Sequence, residues 1–363
     1  MKNLFDSVKI GTLESKNRFV RSATWENMTE DGYINEKLLN IYKELAEGEV
    51  GLILTGYANI VKEEQPNAGM FGIYDDSFIS GYKKLCDIVH EYGSTIVLQV
   101  AYGGTKTTYN VGERVIFAPS AVPEIGTGTL GKEMTLEDIK YIVNAFAQSA
   151  RRAKESGFDG IEIHGAHTYL INQFLSPYYN RREDKYGGSL ENRMRFLVEI
   201  YNAMRKEVGK EYPILVKLTS TDFFDGGLTF DETKKICKKM EEIGIDGIEI
   251  SGNVHGKGES LIGKTFDGYE IKNEGYFSEF AKVIANEISI PVITVGGIKT
   301  FEATENLLNN SNIEMFAISR PLLTEPNLIK RWKNGDKTKV RCVRCSKCRN
   351  KDGNYCIITA AKK

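Results

Sequence analysis

A short apolar run that ends in a polar residue and a glycine recurs along the chain. Residues 157–165 and 244–252 match almost position by position, and residues 48–56 are a looser copy. Each run follows a stretch with apolar residues at helical spacing, so each copy predicts a helix, a glycine stop and a buried parallel strand. The copies do not recur at a fixed period, which argues against a stacked array of repeats.

The same rhythm of strand and helix continues through most of the chain. Eight alternating strands and helices predict an α/β fold, a (β/α)8 TIM barrel. The glycine-rich segment 101–134 is expected to form a lid after the third strand, and 167–192 an ordered loop after the fourth. The strands are predicted at 18–21, 48–56, 95–99, 157–165, 213–218, 244–252, 291–295 and 314–318, and the helices at 36–47, 77–92, 136–156, 190–208, 231–243, 276–287 and 301–308.

A doubly wound open sheet is the alternative fold. It would normally carry a Gly-x-Gly-x-x-Gly turn between an early strand and its helix. The one such string, 126–131, follows a segment broken by proline rather than an apolar strand. We therefore expect one barrel domain over 1–335, followed by a basic, cysteine-rich tail over 336–363.

The charge balance excludes several classes of function. The chain of 363 residues has 48 basic and 49 acidic residues, a net charge of −1. No general attraction to nucleic acid or to an anionic membrane is expected. No run approaches the roughly 18 apolar residues of a membrane span, and the N-terminus meets charge too early for a signal peptide. We expect a cytoplasmic protein, and a homo-oligomer is left open.

The active site of an α/β barrel forms at the carboxyl ends of its strands. The residues predicted there supply amide, imidazole, ammonium and guanidinium groups rather than a carboxylate cluster for a divalent metal. Gly296 and Gly297 follow the seventh strand, and Ser319 and Arg320 follow the eighth, where such barrels often bind phosphate. Exposed backbone N–H groups and a guanidinium suit that anion. A simple turn and a surface ion pair are the alternative.

Two of the four histidines lie in the short run from His164 to Tyr169. His164 and His167 could share a metal, but no third ligand is apparent nearby. A pair of buried structural histidines is a second interpretation. The interpretation we favour is that both imidazoles donate hydrogen bonds to an anionic or carbonyl-rich ligand, with Tyr169 as a nearby proton donor.

Two long, irregular motifs carry a family resemblance. They are HGAHTYLINQFLSP at 164–177 and NRREDKYGGSLENR at 180–193. With them go Lys16-Asn17-Arg18, Leu98-Gln99, Ala118-Pro119-Ser120-Ala121 and Ser319-Arg320-Pro321-Leu322. From about residue 3 to 335 the chain resembles the old yellow enzyme family of FMN-dependent NAD(P)H oxidoreductases.

The resemblance implies that one FMN lies across the top of the barrel. The backbone of Ala23 and Thr24 and the side chain of Gln99 would contact the flavin ring, and Gly56 would close against it. Lys217 would lie near N1 and O2, where a positive charge stabilises anionic reduced flavin. The family's phosphate-binding positions correspond to Gly296, Gly297, Ser319 and Arg320.

The resemblance also implies ene-reductase chemistry. NADH or NADPH would reduce the flavin, and hydride would pass from N5 to the β-carbon of an α,β-unsaturated carbonyl compound. His164 and His167 would bind the carbonyl oxygen, and Tyr169 would protonate the α-carbon. Trp25 stands where many members have Thr or Cys, and Asn27 where some have Tyr. The resemblance therefore leaves the flavin potential and the substrate range open.

Four of the six cysteines lie close together in the tail. In a chain without a secretion signal a disulfide framework is disfavoured, so zinc, an iron–sulfur cluster and uncommitted thiols are the alternatives. Larger relatives of the dienoyl-CoA reductase and trimethylamine dehydrogenase types hold a [4Fe–4S] cluster just after the barrel, with longer later spacings. The alternative functions are thus a dienoyl-CoA or bile-acid-type reductase, or an electron-transfer subunit, with a cluster on Cys342, Cys345, Cys348 and Cys356.

Overall fold

The computed structural model describes residues 2–252 and 258–360, and in this part of the chain eight parallel strands form a closed ring. The fourth strand pairs with the fifth on one side and with the third on the other, which closes the sheet. The predicted (β/α)8 barrel is therefore confirmed, and the open doubly wound sheet is excluded. The strands are β1 (Phe19–Arg21), β2 (Leu52–Leu54), β3 (Thr95–Ala101), β4 (Gly160–Gly165), β5 (Ile214–Thr219), β6 (Gly247–Ser251), β7 (Val292–Val295) and β8 (Met315–Ile318).

Helices surround the barrel and begin and end where local chemistry dictates. Thr135 and Asp138 form a capping box at the start of the third helix. The glycine stop predicted before the sixth strand is Gly244, whose φ of 96° gives a left-handed cap. The helices are α1 (Glu36–Glu47), α2 (Ile79–His90), α3 (Leu136–Glu155), α4 (Leu170–Leu175), α5 (Leu190–Val208), α6 (Phe230–Ile243), α7 (Ser278–Glu287), α8 (Phe301–Asn309), α9 (Arg320–Thr324), α10 (Leu328–Lys333) and α11 (Ile357–Ala360).

Helix α4 is the clearest difference from the sequence-based expectation of a loop over 167–192. All six of its residues are buried, so the segment lacks the polar face that makes helical periodicity visible. The helix predicted from residue 77 begins instead with a 3₁₀ turn, Asp76–Phe78, because Asp75 caps the backbone N–H of Ser77.

An antiparallel hairpin closes the end of the barrel opposite the predicted site. Its strands, Val8–Ile10 and Leu13–Ser15, pair with each other. Val8, Ile10 and Leu13 join a separate core made of side chains from the barrel strands. The amino ends of the strands are thus sealed, which leaves the carboxyl ends for chemistry. Within the described residues no helix has the length and apolar character needed to cross a bilayer.

The segment after β3 folds over the carboxyl end of the barrel, as expected for a lid. Two short strands, Phe117–Ala118 and Lys132–Glu133, pair with each other within it. The glycine-rich string at 126–131 lies in this lid, and the Glu124 carboxylate accepts hydrogen bonds from the N–H groups of Gly126 and Thr127 at 2.8 and 2.6 Å. This string is a turn closed on a carboxylate and not a dinucleotide-binding loop.

The tail returns to the carboxyl end of the barrel as a second hairpin, which pairs Arg349–Asn350 with Gly353–Asn354. Asn354 donates its backbone N–H to the Glu26 carbonyl at 2.6 Å and its side-chain amide to the Trp25 carbonyl at 2.7 Å. The hairpin is therefore docked on the loop that follows β1, which carries two of the predicted cofactor-binding residues.

Candidate active site

The carboxyl ends of the strands bring the residues predicted for catalysis together. His164 lies on β4 and Lys217 is its register partner on β5. His167 and Tyr169 follow in the loop that leads to α4. The His164 ring stacks on Tyr169 with centroids 4.5 Å apart and meets the His167 ring edge-on at 5.2 Å. These three side chains form one contiguous cluster.

An unusual backbone conformation orients the part of the cluster that lies in the loop after β4. His167 and Thr168 both have left-handed φ angles, 60° and 63°. Such angles cost energy in residues with a Cβ and persist only where surrounding contacts hold them. Here the Thr168 N–H donates to Asn172 Oδ1 at 2.7 Å, and the His167 N–H donates to Thr219 Oγ1 at 3.0 Å.

Both imidazoles are held in the neutral form. Burial, with smaller contributions from His167 and Lys217, lowers the pKa of His164 well below its ordinary value. Burial and the positive charges of Lys217 and Lys106 lower the pKa of His167 to about 3. At neutral pH each ring therefore has one N–H to donate and carries no charge.

Neighbouring groups determine which nitrogen of each ring is available. The Ala166 N–H donates to His164 Nδ1 at 3.3 Å, so the proton of His164 lies on Nε2. His167 Nε2 bonds to the Ser251 hydroxyl at 2.7 Å, which leaves Nδ1 for a ligand. The pair can thus offer two separate contacts to one small acceptor.

Tyr169 has two partners that the sequence did not reveal. Burial raises its pKa to about 12, while hydrogen bonding with Tyr57 and Asn67 acts in the opposite direction. Asn67 Nδ2 donates to the Tyr57 hydroxyl at 2.7 Å. Tyr57 directly follows the predicted cofactor residue Gly56, and that position is the signal that could have identified it. Nothing in the sequence marks Asn67.

Two buried glutamates support the floor of the site. Lys217 Nζ lies 3.2 Å from both Ser22 Oγ and Glu249 Oε1. Gln99 Nε2 donates to Glu162 Oε2 at 2.6 Å. Burial, and then the nearby Glu249, raise the pKa of Glu162 well above its ordinary value. Glu162 and Glu249 occupy equivalent positions in the two matching strand motifs, and this recurrence was the signal in the sequence.

Gly56 lies where a side chain would not fit. A Cβ there would come within 2.0 Å of Glu26 Oε2 and 3.0 Å of the Thr24 carbonyl. The Gly56 N–H donates to the Tyr42 hydroxyl at 2.9 Å, and that hydroxyl donates to Glu26 Oε1 at 3.0 Å. The glycine is therefore locked to the loop after β1, which also holds Ala23 and Thr24.

The predicted phosphate-binding residues line one cavity of about 120 Å³. Gly296 and Gly297 have φ angles of 112° and 73°, and a Cβ on Gly297 would lie 2.7 Å from the Tyr276 ring. Thr24 and Ser319 join the ends of β1 and β8 through a 2.7 Å hydroxyl contact. The lining residues include the predicted Gly296, Gly297, Ser319 and Arg320, together with Lys299 and the tail's Arg344, which the sequence analysis did not single out.

The four tail cysteines line a narrow cleft that also touches Arg320 and Thr324. Burial and the neighbouring thiols raise the pKa of Cys348, whereas hydrogen bonds, first of all from Thr324, outweigh burial and lower the pKa of Cys356. Among the residues that the structure describes, no three His, Cys, Asp or Glu side chains are arranged to hold a metal ion. The four sulfurs are near one another without forming a ligand set.

The chain is a (β/α)8 barrel, a class of protein that often binds phosphate at the place where the glycine pair and Arg320 lie in this fold. Comparison with known proteins narrows this class. Residues 3–339 match the model of the NADH:flavin oxidoreductase / NADH oxidase family. The chain belongs to this family, which consists of FMN-dependent NAD(P)H oxidoreductases and includes old yellow enzyme.

Relatives of two lengths match the chain. An NADPH dehydrogenase from Geobacillus sp. (strain WCH70) is 38% identical over 325 residues, which cover 89% of this chain and 91% of that protein. An NADH oxidase from Thermoanaerobacter brockii is 36% identical over 348 residues, which cover 95% of this chain and 53% of that protein. The chain thus spans about half the length of the longer relatives.

Solved structures show the same two lengths. A 2-naphthoyl-CoA reductase in complex with 2-naphthoyl-CoA superposes with a TM-score of 0.85 at 28% identity, over 93% of this chain and 53% of that one. An old yellow enzyme homologue from Zymomonas mobilis superposes with a TM-score of 0.80 at 23% identity, over 93% and 94% of the two chains. The second likeness shows the fold alone.

The residues present fit the FMN that this family uses. The cavity after β7 and β8 gathers the cationic side chains of Lys299, Arg320 and Arg344, which match a phosphate dianion. Lys217, buried at the centre of the barrel top, matches the anionic edge of a reduced flavin. Eight of the nine positions predicted for FMN lie on strands or on the loops that follow them, and the ninth, Arg320, is the first residue of α9.

Proposed function

We propose that this barrel reduces a carbon–carbon double bond conjugated to a carbonyl group, with electrons from NADH or NADPH. The observation that carries the proposal is a cluster of two neutral imidazoles and a phenol, in which His164 stacks on Tyr169 and meets the His167 ring edge-on. A carbonyl oxygen is the acceptor that two neutral N–H donors recognise. The phenol beside them supplies the proton that such a reduction needs.

In this proposal the histidines bind and polarise the substrate. His164 donates from Nε2, since its Nδ1 accepts from the Ala166 N–H, and His167 donates from Nδ1 while its Nε2 accepts from the Ser251 hydroxyl. Polarising the carbonyl oxygen makes the β-carbon more electrophilic. The left-handed backbone at His167 and Thr168 holds the His167 ring beside His164.

Tyr169 holds the proton for the α-carbon of the substrate. Its raised pKa keeps the hydroxyl protonated throughout the physiological range. FMN, when bound, supplies the hydride chemistry that joins NAD(P)H to the substrate. Lys217 and Gln99 would hold the flavin ring, and Arg320, Ser319 and the glycine pair would hold its phosphate.

The test is Tyr169→Phe, which keeps the ring and its stacking but removes the proton. Loss of a positioned general acid costs about 10²–10⁴-fold, so reoxidation of the reduced enzyme by 2-cyclohexenone should slow by that factor. Flavin reduction by NAD(P)H and reoxidation by O₂ require no proton from Tyr169 and should keep their rates. Stopped-flow absorbance measures each half-reaction separately. An unchanged rate with the enone would remove Tyr169 from the mechanism.

A second candidate function is electron transfer through a metal centre on the tail. The observation in its favour is that Cys342, Cys345, Cys348 and Cys356 line one cleft beside Arg320. The thiols as placed do not form a ligand set, so we derive no step from such a centre. Iron, acid-labile sulfide and zinc analysis of anaerobically purified protein decides between a cluster, zinc and free thiols. Stoichiometric iron and sulfide would support this candidate, and four titratable thiols would exclude it.

A further inference from the structure

Tyr57 lies in the loop that follows β2, and its ring contacts the ring of the proposed proton donor, Tyr169. Its ring meets Tyr169 edge-on, with centroids 5.7 Å apart and an angle of 89° between the planes. Its hydroxyl accepts a hydrogen bond from Asn67 Nδ2 at 2.7 Å. The function proposed above uses Tyr169 and gives neither Tyr57 nor Asn67 a role.

We propose that Tyr57 is a positioning residue for Tyr169 and the route by which Tyr169 regains its proton. This inference rests on the proposed function, because it requires Tyr169 to be the donor. The Tyr57 oxygen accepts from the Asn67 amide, so its own O–H is left to donate to the Tyr169 oxygen. A phenolate that forms on Tyr169 is then stabilised by a charge-assisted hydrogen bond.

The electrostatics of the pair agree with this direction of donation. Burial raises the pKa of both tyrosines. Hydrogen bonding between them raises the pKa of Tyr57 further and lowers that of Tyr169. Both hydroxyls are therefore protonated at neutral pH, and Tyr57 has a proton to pass on when Tyr169 gives up its own.

The proposed path of the proton runs from solvent through Tyr57 to Tyr169. Tyr169 is buried, with 7% of its surface exposed, whereas Tyr57 is partly exposed. During reduction the Tyr169 O–H bond breaks and its proton bonds to the substrate α-carbon. The Tyr57 proton then moves to the Tyr169 oxygen, while Tyr57 takes a proton from water. One solvent proton is consumed in each turnover, and both tyrosines end neutral.

A double-mutant cycle with Tyr57→Phe and Tyr169→Phe tests the proposal. Loss of a hydrogen bond to a charged group should slow reoxidation by 2-cyclohexenone about tenfold in Tyr57→Phe. The double variant should be no slower than Tyr169→Phe, because Tyr57 acts only through that residue. Reoxidation by O₂, measured on the same samples, should stay at the wild-type rate and shows that the site is intact. Tyr141→Phe, at an exposed position, is the matched control.

Other outcomes separate this inference from the proposed function. A normal rate with the enone in Tyr57→Phe and a slow rate in Tyr169→Phe would overturn the relay and leave the donor role standing. If the losses in reoxidation rate multiply in the double variant, Tyr57 acts independently of Tyr169. This result would also overturn the relay. A normal rate in Tyr169→Phe would remove the donor and the relay together. Asn67→Ala keeps the Tyr57 hydroxyl and should give a smaller loss than Tyr57→Phe, and an equal or larger loss would contradict the relay through Tyr57.

Discussion

The His164 ring stacks on Tyr169 with centroids 4.5 Å apart and an angle of 28° between the planes. The stack joins the last residues of β4 to the first residue before α4. One ring contact thus fixes the His164 imidazole, the proposed donor to the substrate carbonyl, relative to Tyr169, the proposed proton donor. Changes at His164 should therefore affect ligand binding and Tyr169 together.

His164→Ala should weaken the binding of phenols, which act as acceptors for the imidazole pair. Loss of one neutral hydrogen bond is worth about 0.5–1.5 kcal/mol, so the dissociation constant should rise about 2- to 10-fold. Titration of the flavin charge-transfer band measures it. His90→Ala, on the partly exposed pair with Asp159, is the control. Equal weakening in both variants would contradict a local role for His164.

Arg320→Ala should weaken FMN binding. The lost charge-assisted hydrogen bonds to phosphate are worth about 1.5–3 kcal/mol, or roughly 10- to 150-fold in the dissociation constant. Quenching of FMN fluorescence on titration of the apoprotein measures the affinity. Arg341→Ala removes the same charge from an exposed position in the tail and should leave the affinity near that of the wild type. Full flavin occupancy in Arg320→Ala would show that the phosphate binds elsewhere.

Gly56→Ala should destabilise the protein and loosen the loop after β1. The new Cβ would lie 2.0 Å from Glu26 Oε2, and overpacking of this kind costs about 1–3 kcal/mol. Gly81→Ala is the matched control, since its Cβ would lie 3.5 Å from Ile34, and alanine favours a helix such as α2. Urea unfolding should show a lower free energy of unfolding in Gly56→Ala and a higher one in Gly81→Ala. A stable Gly56→Ala would mean that Glu26 moves aside without cost.

The pH dependence should reflect the neutral imidazoles. The lowered pKa of His167, about 3, means that the unfolded chain takes up a proton near pH 6.5 and the folded chain does not. Stability from this group is therefore complete above about pH 6.5 and is lost as the pH falls toward 3, by up to about 1.4 kcal/mol per pH unit. His167→Gln should lose less stability than the wild type between pH 6.5 and 4.5. If urea unfolding shows that the free energy of unfolding falls equally with pH in the two proteins, His167 is not buried in its neutral form.

Arg349→Gln should slow protonation of the substrate slightly. The Arg349 guanidinium lies 5.7 Å from the Trp25 ring centroid and lowers the pKa of Tyr57 and Tyr169. Because this charge is exposed, the loss should be at most about fivefold and should disappear at high salt. Lys347→Gln, two residues away in the exposed tail, is the control. The measurement is enone reoxidation at low and high ionic strength.

The sequence predicted the barrel because its strands are almost entirely buried and its helices are amphipathic, two patterns that are visible in the local sequence. Helix α4 was not predicted because burial on all sides removes the alternation of apolar and polar residues that marks a helix. The boundaries of β1 and β3 differ by one and two residues, since strand ends depend on pairing with neighbours.

The candidate site was predictable where it lies at strand ends, as at His164 and Lys217. Contacts between segments that are distant in the sequence could not be predicted. Asn67 reaches Tyr57 across a loop, and Arg344 of the tail reaches the cavity after β8. Neither has a pattern in its own neighbourhood, because each is brought in by tertiary packing rather than by local structure.

The two hydrogen bonds of Asn354 to the loop after β1 have a consequence for protein engineering. A chain trimmed at the last barrel helix would lose the two donors of Asn354, and the Trp25 and Glu26 carbonyls would then hydrogen-bond to water. The loop that faces the reacting groups would become less ordered. Swapping tails between relatives would meet the same obstacle unless residues 25–27 were exchanged too. The hairpin that contains Asn354 and the loop after β1 must therefore be changed together.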